Sequence, residues 1–201
     1  MTVKNRKAEQ SEATRGALIG AARELFTERG YGGVATEEIV RSAGVTRGAL
    51  YHHFRDKRDL FQAVFEQVEG ELTQDIATNA LARASDPFEA LQAGGQAFLD
   101  ACLDPAVQRI TLLDAPSVLG WETWRELGQT YGLGLIEGTL QAAIDAGLIE
   151  PQPVKPLAHL LLGALDEAGL LVARAEDVEA MRHEVGESIA AGSVPSIRPR
   201  P

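Results

Sequence analysis

The sequence contains one cysteine, Cys102, and few aromatic residues. One cysteine cannot close an internal disulfide, and it cannot supply the set of thiolates typical of a zinc site. Because proteins of the cytoplasm generally lack disulfides, we expect a cytoplasmic protein. The first residues, MTVKNRKAEQSEATRG, are polar and basic with no apolar stretch behind them, which is not the pattern of a secretory signal.

Long apolar runs are also missing. The most apolar segment, Pro156 to Arg174, is interrupted by His159, Asp166 and Glu167, so it lacks the ~18 uninterrupted apolar residues of a membrane helix. Neither of the common Gly-rich phosphate-binding patterns occurs. We therefore expect no membrane partner, no cofactor and no metal.

Positive charge is scarce over the chain as a whole. The formal net charge is −10, which alone speaks against nucleic acid, because phosphates repel an acidic protein. The charge is unevenly distributed, however. Residues 1–60 hold 11 Lys+Arg against 8 Asp+Glu, a net +3, and residues 61–201 hold 8 against 21, a net −13. An N-terminal nucleic-acid-binding segment therefore remains compatible with the composition.

The hydrophobic pattern is helical along nearly the whole chain. Few β-branched runs occur, and no segment alternates cleanly between apolar and polar residues as a half-buried strand does. Apolar residues recur at steps of three and four, which predicts an all-α protein. We expect helices near residues 12–29, 36–43, 47–53, 57–80, 87–102, 105–114, 118–146, 154–174 and 177–191. The Pro-rich tail, residues 192–201, has no apolar face and is expected to be frayed.

Turn and capping residues separate the first four predicted helices. Gly30 and Gly44 are expected to end helices, because glycine readily adopts the left-handed backbone found there. Thr36, Thr46 and Asp56 are the expected N-caps, because their side-chain oxygens accept hydrogen bonds from free N–H groups of the first turn. Two short helices joined by a tight turn therefore follow the first helix.

Residues 36–54, TEEIVRSAGVTRGALYHHF, have the pattern of a helix-turn-helix. Five apolar residues must point inward to lock the two helices against the first: Ile39, Val40, Val45, Leu50 and Phe54. The residues left on the outward face of the second helix are Thr46, Arg47, Gly48, Tyr51 and His52. These types suit DNA, because a guanidinium reads guanine edges, hydroxyls bind phosphates and glycine allows close approach. Lys57 begins the next helix, where its backbone N–H and its ammonium can meet a phosphate.

The segment ARELFTERGYGGVATEEIVRSAGVTRGALYHHFRDKRDLFQAV, residues 22–64, resembles the DNA-binding domain of the TetR family of bacterial transcriptional repressors in order and spacing. The resemblance implies an N-terminal helix-turn-helix domain at residues 1–58, with a flexible arm at residues 1–11. It also implies a helical regulatory domain at residues 59–191, which binds a small molecule and dimerises. The flexible tail would then be residues 192–201.

The resemblance also implies roles for single residues. By position in the motif, Thr36, Thr46, Tyr51 and Lys57 are expected to contact phosphates, and Arg47 and His52 to contact bases or the groove. Some alternatives remain open: Tyr51 could pack on the first helix, and Thr36 could serve only as a cap. His52 and His53 point about 100° apart on a helix, so they cannot easily share a metal ion. The basic residues near the N-terminus form either a DNA-binding arm or a solvated leader: Lys4, Arg6 and Lys7.

An aromatic stripe marks the regulatory half. It consists of residues at steps of three and four on one helical face: Trp121, Trp124, Gly128, Tyr131 and Leu135. Tryptophan and tyrosine combine apolar area with a hydrogen-bonding group, which suits the wall of a ligand pocket; core packing or a partner surface is the alternative. Neighbouring helices could complete the lining with Phe98, Cys102, Leu112 and Leu113. Cys102 could instead sense oxidants, although a buried, inert cysteine is commoner.

The last two helices suggest a dimer interface. His159 and Asp166 share one face of an apolar helix. They either orient a polar ligand, which makes Asp166 a candidate ligand residue, or fix the register of a helix seam. Two such helices from each subunit can form a four-helix interface, as in the family. The apolar residues available for it are Leu157, Leu160, Leu161, Leu165, Leu170, Val178, Met181, Val185 and Ile189.

These features predict a homodimeric repressor that a small-molecule effector releases from a near-palindromic operator. The two recognition helices would enter successive major grooves, about 34–36 Å apart. One alternative is a DNA-binding regulator without a ligand response. Another is a helical enzyme that uses carboxylates such as Asp166 and Glu167, although no nucleophile–base pair or metal-ligand cluster accompanies them.

Overall fold

The computed structural model describes the backbone of residues 3–190 and the side chains of residues 8–189. Within this range the regular elements are helices, which confirms the predicted all-α fold. The α-helices are α1 (Val3–Arg29), α2 (Thr36–Ser42), α3 (Arg47–His53), α4 (Lys57–Asp75), α5 (Pro87–Ala101), α6 (Ala115–Val118), α7 (Trp121–Gly128), α8 (Gly134–Asp145), α9 (Val154–Arg174) and α10 (Val178–Ala190). The remaining helical segments are π-helices at Ile76–Ala80, Val107–Asp114 and Gln129–Leu133 and a 3₁₀ turn at Leu81–Arg83.

The predicted helices differ most from the observed ones in two places. Helix α1 begins at Val3 rather than at residue 12, so residues 3–11 belong to it. The predicted helix 118–146 is interrupted, because Gly120 takes a φ of +81° and α7 starts afresh at Trp121. Whether the N-terminal residues act as a DNA-binding arm stays a prediction, since the side chains of Lys4, Arg6 and Lys7 lie outside the described residues. The predicted tail, residues 192–201, also lies outside them.

Most of the predicted caps are present. Gly30 and Gly44 have φ values of +70° and +66°. The Thr46 hydroxyl accepts from the N–H of Ala49 at 3.2 Å, and the Asp56 carboxylate accepts from the N–H of Asp59 at 2.8 Å. These local signals therefore separate α1, α2, α3 and α4 as the sequence predicts.

The predicted N-cap at Thr36 is wrong. The cap of α2 is Ala35, whose N–H donates to the Glu38 carboxylate at 3.0 Å. Arg29 holds that carboxylate from the end of α1, at 2.9 Å. Glu38 therefore fixes the start of α2 from within the helix, and Thr36 is left as its first residue with its hydroxyl 3.2 Å from the Glu37 carboxylate.

The end of the molecule that contains the predicted helix-turn-helix has a filled aromatic core. The rings of Phe26 and Phe61 meet edge to face with centroids 5.4 Å apart, and Tyr31 meets Phe61 in the same way at 5.2 Å. Ile39, Leu50 and Phe54 are buried against them as predicted, whereas Val40 and Val45 are half-buried at the edge of this core. Helices α2 and α3 are thus held against α1 and α4.

Helix α4 connects the two ends of the molecule. It packs on α1 and also contacts the π-helices Val107–Asp114 and Gln129–Leu133. One continuous hydrophobic cluster runs from Leu18 in α1 to Val172 in α9. A second cluster lies between α5, α8 and α9, around Leu140, Ile149 and Leu157. The predicted boundary at residues 58–59 therefore falls at the start of a helix that both ends share.

Helix α9 is long and apolar enough, by length and composition alone, to cross a membrane. In the fold it packs against α5, α8, α10 and the π-helix Val107–Asp114. Seven of its 21 residues are buried, while Leu160 and Leu171 stay 68% and 47% exposed. Its apolar composition is that of a core helix with one uncovered face.

Candidate DNA-binding surface and ligand cavity

The predicted DNA-contacting residues of α3 share one exposed surface. The exposed residues of α3 and its N-cap are Thr46, Arg47, Gly48, Tyr51 and His52. Tyr51 is 45% exposed, so its ring does not pack on α1. The inward-pointing Leu50 and the caps at both ends hold α3 in place beneath this surface. The arrangement leaves a guanidinium, two hydroxyls and an imidazole free to face a nucleic acid.

Arg47 has partners that DNA can replace. Its guanidinium lies 3.2 Å from the Glu37 carboxylate and 5.5 Å from the centroid of the Tyr51 ring. All of these groups are solvent-exposed, so the ion pair contributes little to stability. When Arg47 binds a base edge or a phosphate of DNA instead of the Glu37 carboxylate, the loss of the ion pair therefore costs little free energy.

Lys57 has a different environment from the one predicted. Its ammonium donates to the backbone carbonyls of Tyr31 and Val34, both at 2.8 Å, and lies 4.0 Å from the centroid of the Tyr31 ring. Burial lowers the pKa of Lys57 below its ordinary value. The ammonium thus fixes the loop between α1 and α2, so a phosphate at the N-terminus of α4 would meet the backbone N–H.

The two histidines at the end of α3 face different surroundings. His52 is exposed and His53 is half-buried, with the two ring centroids 5.2 Å apart. Among residues 8–189, no group of three or more His, Cys, Asp or Glu side chains is arranged to hold a metal ion. His52 is the histidine that shares the surface of Arg47.

The regulatory half encloses a cavity of about 550 Å³. Helices α4, α5, α7, α8 and α9 and the π-helix Val107–Asp114 contribute to its wall. Five of the predicted ligand residues line it: Phe98, Leu112, Trp124, Leu135 and Asp166. Gly128 of the aromatic stripe lines it as well.

Four predicted lining residues lie elsewhere, and one of them is Leu113, which does not line the cavity. Trp121 is 60% exposed, because the break at Gly120 makes it the first residue of α7. Tyr131 does not line the cavity, because the π-helix Gln129–Leu133 carries it out of register with Trp124. Cys102 is fully buried beside the cavity against Gly169 and Phe98, and burial, with Glu69 and Asp166 nearby, raises the pKa of its thiol to about 12. It is therefore an inert thiol.

The alternative pairing of His159 with Asp166 is not observed. His159 is half-buried and does not line the cavity. Asp166 instead forms an ion pair with Arg125 of α7 inside the cavity wall. Burial outweighs that neighbouring charge and raises the pKa of Asp166 to about 6.

The sequence prediction missed the other polar residues of the lining: Glu69, Thr73, Gln92, Thr111, Arg125 and Thr139. Glu69 carried a recognisable signal, because it lies on the apolar stripe of α4 between Phe65 and Leu72. Burial raises the pKa of Glu69 to about 7, and the nearby Asp166 charge adds to the effect. A carboxyl group on the buried stripe of an amphipathic helix indicates a polar site within the core.

The cavity wall is tied to the DNA-binding end by hydrogen bonds. Thr111 and Leu112 line the cavity, and Asp114 at the end of the same π-helix accepts from the N–H of Tyr31 at 2.6 Å. Arg58, in the first turn of α4, donates to the carbonyls of Val118 and Leu119 at 3.0 and 2.7 Å. Displacement of the cavity wall would therefore move groups that hold the DNA-binding end.

The indole of Trp124 is fixed within the wall. Its Nε1–H donates to the carbonyl of Thr111 at 2.9 Å, and the Thr111 hydroxyl donates to the carbonyl of Val107 at 2.7 Å. Both acceptors are backbone carbonyls of the π-helix Val107–Asp114, so the indole is anchored to that element. The aromatic face of Trp124 is thus oriented before any ligand enters.

Two family models match the chain, described as "Bacterial regulatory proteins, tetR family" over residues 18–64 and "Tetracyclin repressor-like, C-terminal domain" over residues 88–191. The chain belongs to the TetR family. It is therefore a DNA-binding transcriptional regulator, as its helix-turn-helix predicts, and not an enzyme.

Individual relatives agree with this TetR-family membership. The TetC protein of transposon Tn10 from Escherichia coli is 28% identical over 163 residues, which cover 81% of this chain and 82% of the relative. The repressor BepR from Brucella suis is 52% identical over 58 residues, 29% of this chain and 27% of BepR. A crystal structure of a TetR-family regulator from Pectobacterium atrosepticum aligns over 96% of this chain and 98% of its own, with 31% identity and a TM-score of 0.82.

Proposed function

We propose that this TetR-family protein is a homodimeric repressor whose DNA affinity falls when a small molecule fills the cavity. The observation that carries the proposal is the double role of the π-helix Val107–Asp114. This element contributes Thr111 and Leu112 to the cavity wall and, through Asp114, a hydrogen bond to the backbone of Tyr31. One short element thus contacts both the ligand space and the DNA-binding end.

The proposed transmission follows from these contacts. A ligand that occupies the cavity presses on α4 and on the π-helix, and the bonds from Tyr31 and Arg58 carry the shift to α1 and to the start of α4. The spacing of the two recognition helices then departs from the ~34–36 Å that successive major grooves require. A coupling of about 1–3 kcal/mol, typical of allosteric proteins, would lower DNA affinity about 5- to 150-fold.

At the DNA, α3 is the proposed recognition helix. Arg47 and His52 would contact base edges or the groove, and Gly48 would allow the backbone to approach. Phosphate contacts are assigned to Thr36, Thr46, Tyr51 and the backbone N–H of Lys57. The proposal that the protein represses transcription is supported by its similarity to BepR, which is described as a repressor.

The proposed dimer interface is formed by α9 and α10. Leu160 and Leu171 of α9 are exposed, which leaves an apolar face that a second subunit would cover. The apolar residues of α10 contribute less than the sequence suggests, since Val178, Met181, Val185 and Ile189 pack into the core of their own chain. The interface is therefore centred on α9, and the protein acts in the cytoplasm, where its DNA lies.

The test is a gel-shift titration on DNA that the wild-type protein selects from a random pool. The double variant Arg47→Ala, Tyr51→Ala removes one proposed base contact and one proposed phosphate contact. Because a good base contact contributes about 1–3 kcal/mol, we expect affinity for the selected DNA to fall at least about 10- to 100-fold.

The matched control is Arg83→Ala, which removes an exposed guanidinium beyond the end of α4. Its DNA affinity should equal that of the wild type. Wild-type affinity in the double variant, with the control also unchanged, would show that α3 is not the recognition helix.

A further inference from the structure

The polar end of the cavity contains a carboxyl group without a partner. Glu69 lines the cavity from α4, and no hydrogen bond or ion pair joins it to any described side chain. The other lining acid, Asp166, already holds Arg125. An unpaired carboxylate within a protein interior is costly, so Glu69 is a group that a ligand can satisfy.

No protein cation is available for Glu69. Of the described residues that line the cavity, Arg125 alone is cationic, and it is committed to Asp166. The other titratable groups near Glu69 are the thiol of Cys102 and the phenol of Tyr131, whose pKa values are both raised. Two carboxylates thus face one guanidinium, and the ionised site has one uncompensated negative charge.

The remainder of the wall favours an apolar body. Aliphatic side chains such as Leu72, Leu162 and Leu165 face the cavity, together with the rings of Phe98 and Trp124. Aromatic faces also attract cations, most strongly that of tryptophan. A volume of about 550 Å³ is within the range of small-molecule sites.

We propose that the effector is a lipophilic monocation, an apolar molecule with one protonated amine that binds the carboxylate of Glu69. Such a ligand neutralises the uncompensated charge and donates the hydrogen bonds that Glu69 lacks. An anion would add a second negative charge beside Glu69 and Asp166, and a neutral molecule would leave Glu69 unpaired. The proposal rests on the ligand-binding role proposed above and adds the chemical class of the ligand.

The experiment compares three ligands that share one n-decyl chain: the decylammonium ion, decanol and decanoate. Binding to the full-length wild-type protein is measured by calorimetry at neutral pH, below the micellar concentration of each ligand. Because a hydrogen bond to a charged group contributes more than a neutral one, we expect decylammonium to bind at least about tenfold more tightly than decanol. Decanoate should bind most weakly.

Two glutamine variants on α4 locate the interaction. Glu69→Gln should weaken decylammonium about tenfold and leave decanol unchanged. The control Glu66→Gln lies one turn earlier, where its side chain accepts from Gln62 at 2.9 Å and does not line the cavity. It should bind all three ligands as the wild type does.

Three results would overturn the proposal: tightest binding of decanoate or decanol, no binding of any ligand, or equal decylammonium affinity in the wild type and Glu69→Gln. Since the ligand comparison also runs on the wild type, a variant that fails to fold does not remove the test. Gel shifts without ligand report on the DNA-binding role independently.

Discussion

The DNA-binding end and the end that contains the cavity differ in charge and in packing. Residues 1–60 hold 11 Lys+Arg and 8 Asp+Glu, whereas residues 61–201 hold 8 and 21. The acidic excess thus lies in the part that does not contain the helix-turn-helix. Because the net +3 of the first 60 residues is small, long-range attraction should be modest, and specific contacts of α3 should carry much of the DNA affinity.

The two ends also differ in how tightly their cores are packed. At the DNA-binding end Phe26 and Phe61 are completely buried and fill the core. At the other end Phe98 borders an open cavity of about 550 Å³. A filled core fixes the geometry that DNA requires, whereas an unfilled one leaves stability to be gained when a ligand binds.

The largest expected effect tests this difference in packing. Phe26→Ala should lower the free energy of unfolding by about 4 kcal/mol, because the closed aromatic core loses its contacts and gains a void. Phe98→Ala should cost about half as much, because part of that ring already faces open space. Denaturant melts measure both variants. Equal losses would mean that the two ends are equally well packed.

The next effect concerns the charge at the cavity. Glu69 has a pKa of about 7 in the folded protein and an ordinary value of 4.5. Between those values the folded state keeps a proton that the unfolded chain has released, so stability falls as pH rises through the window. Glu69→Gln removes this dependence. Its stability relative to the wild type should therefore rise by about 2–3 kcal/mol between pH 5 and pH 8.

Denaturant melts at the two pH values measure this change, with Glu66→Gln as the matched variant. The control should follow the pH profile of the wild type, because Glu66 is hydrogen-bonded to Gln62 and does not line the cavity. Parallel profiles for the wild type and Glu69→Gln would show that Glu69 titrates as an ordinary solvated acid.

The exposed face of α3 is the part of the two candidate sites whose geometry the sequence predicts best. Local signals determine it: the cap at Thr46, the left-handed Gly44 and the buried Leu50 place Arg47 and Tyr51 on the exposed face without help from distant residues. The cap of α2 was assigned to Thr36 instead of Ala35, because the capping group is the Glu38 carboxylate, which Arg29 from another helix supports.

The cavity was predicted only in part, because its geometry depends on irregular helices. The prediction for Trp121 and Tyr131 assumed one regular helix, whereas Gly120 breaks it and a π-helix shifts its register. The spacing of apolar residues in the sequence does not show where a π-helical turn adds a residue to the helix. The environment of Glu69 depends on α9, which brings the Asp166 charge close to it across the fold. No local sequence pattern shows that the two residues are near each other.

The smallest expected effect tests the hydrogen bond between Tyr31 and Asp114, which connects the two ends. Asp114→Asn keeps an acceptor for the N–H of Tyr31 but removes its charge, so the hydrogen bond should weaken by about 1 kcal/mol. Hydrogen exchange of the Tyr31 amide should then quicken about fivefold. The control Asp145→Asn changes an exposed carboxylate that accepts only from Gln141 among described partners, and it should leave Tyr31 unchanged.

Unchanged exchange at Tyr31 in Asp114→Asn would mean that the π-helix Val107–Asp114 does not restrain the loop after α1. The route from the cavity would then have to run through α4 and Arg58 alone, whose bonds to Val118 and Leu119 do not involve Asp114. Faster exchange confined to Asp114→Asn would instead assign part of the coupling to one hydrogen bond. In that case the acidic, loosely packed end controls the rigid, weakly positive end through a contact that neither region could supply by itself.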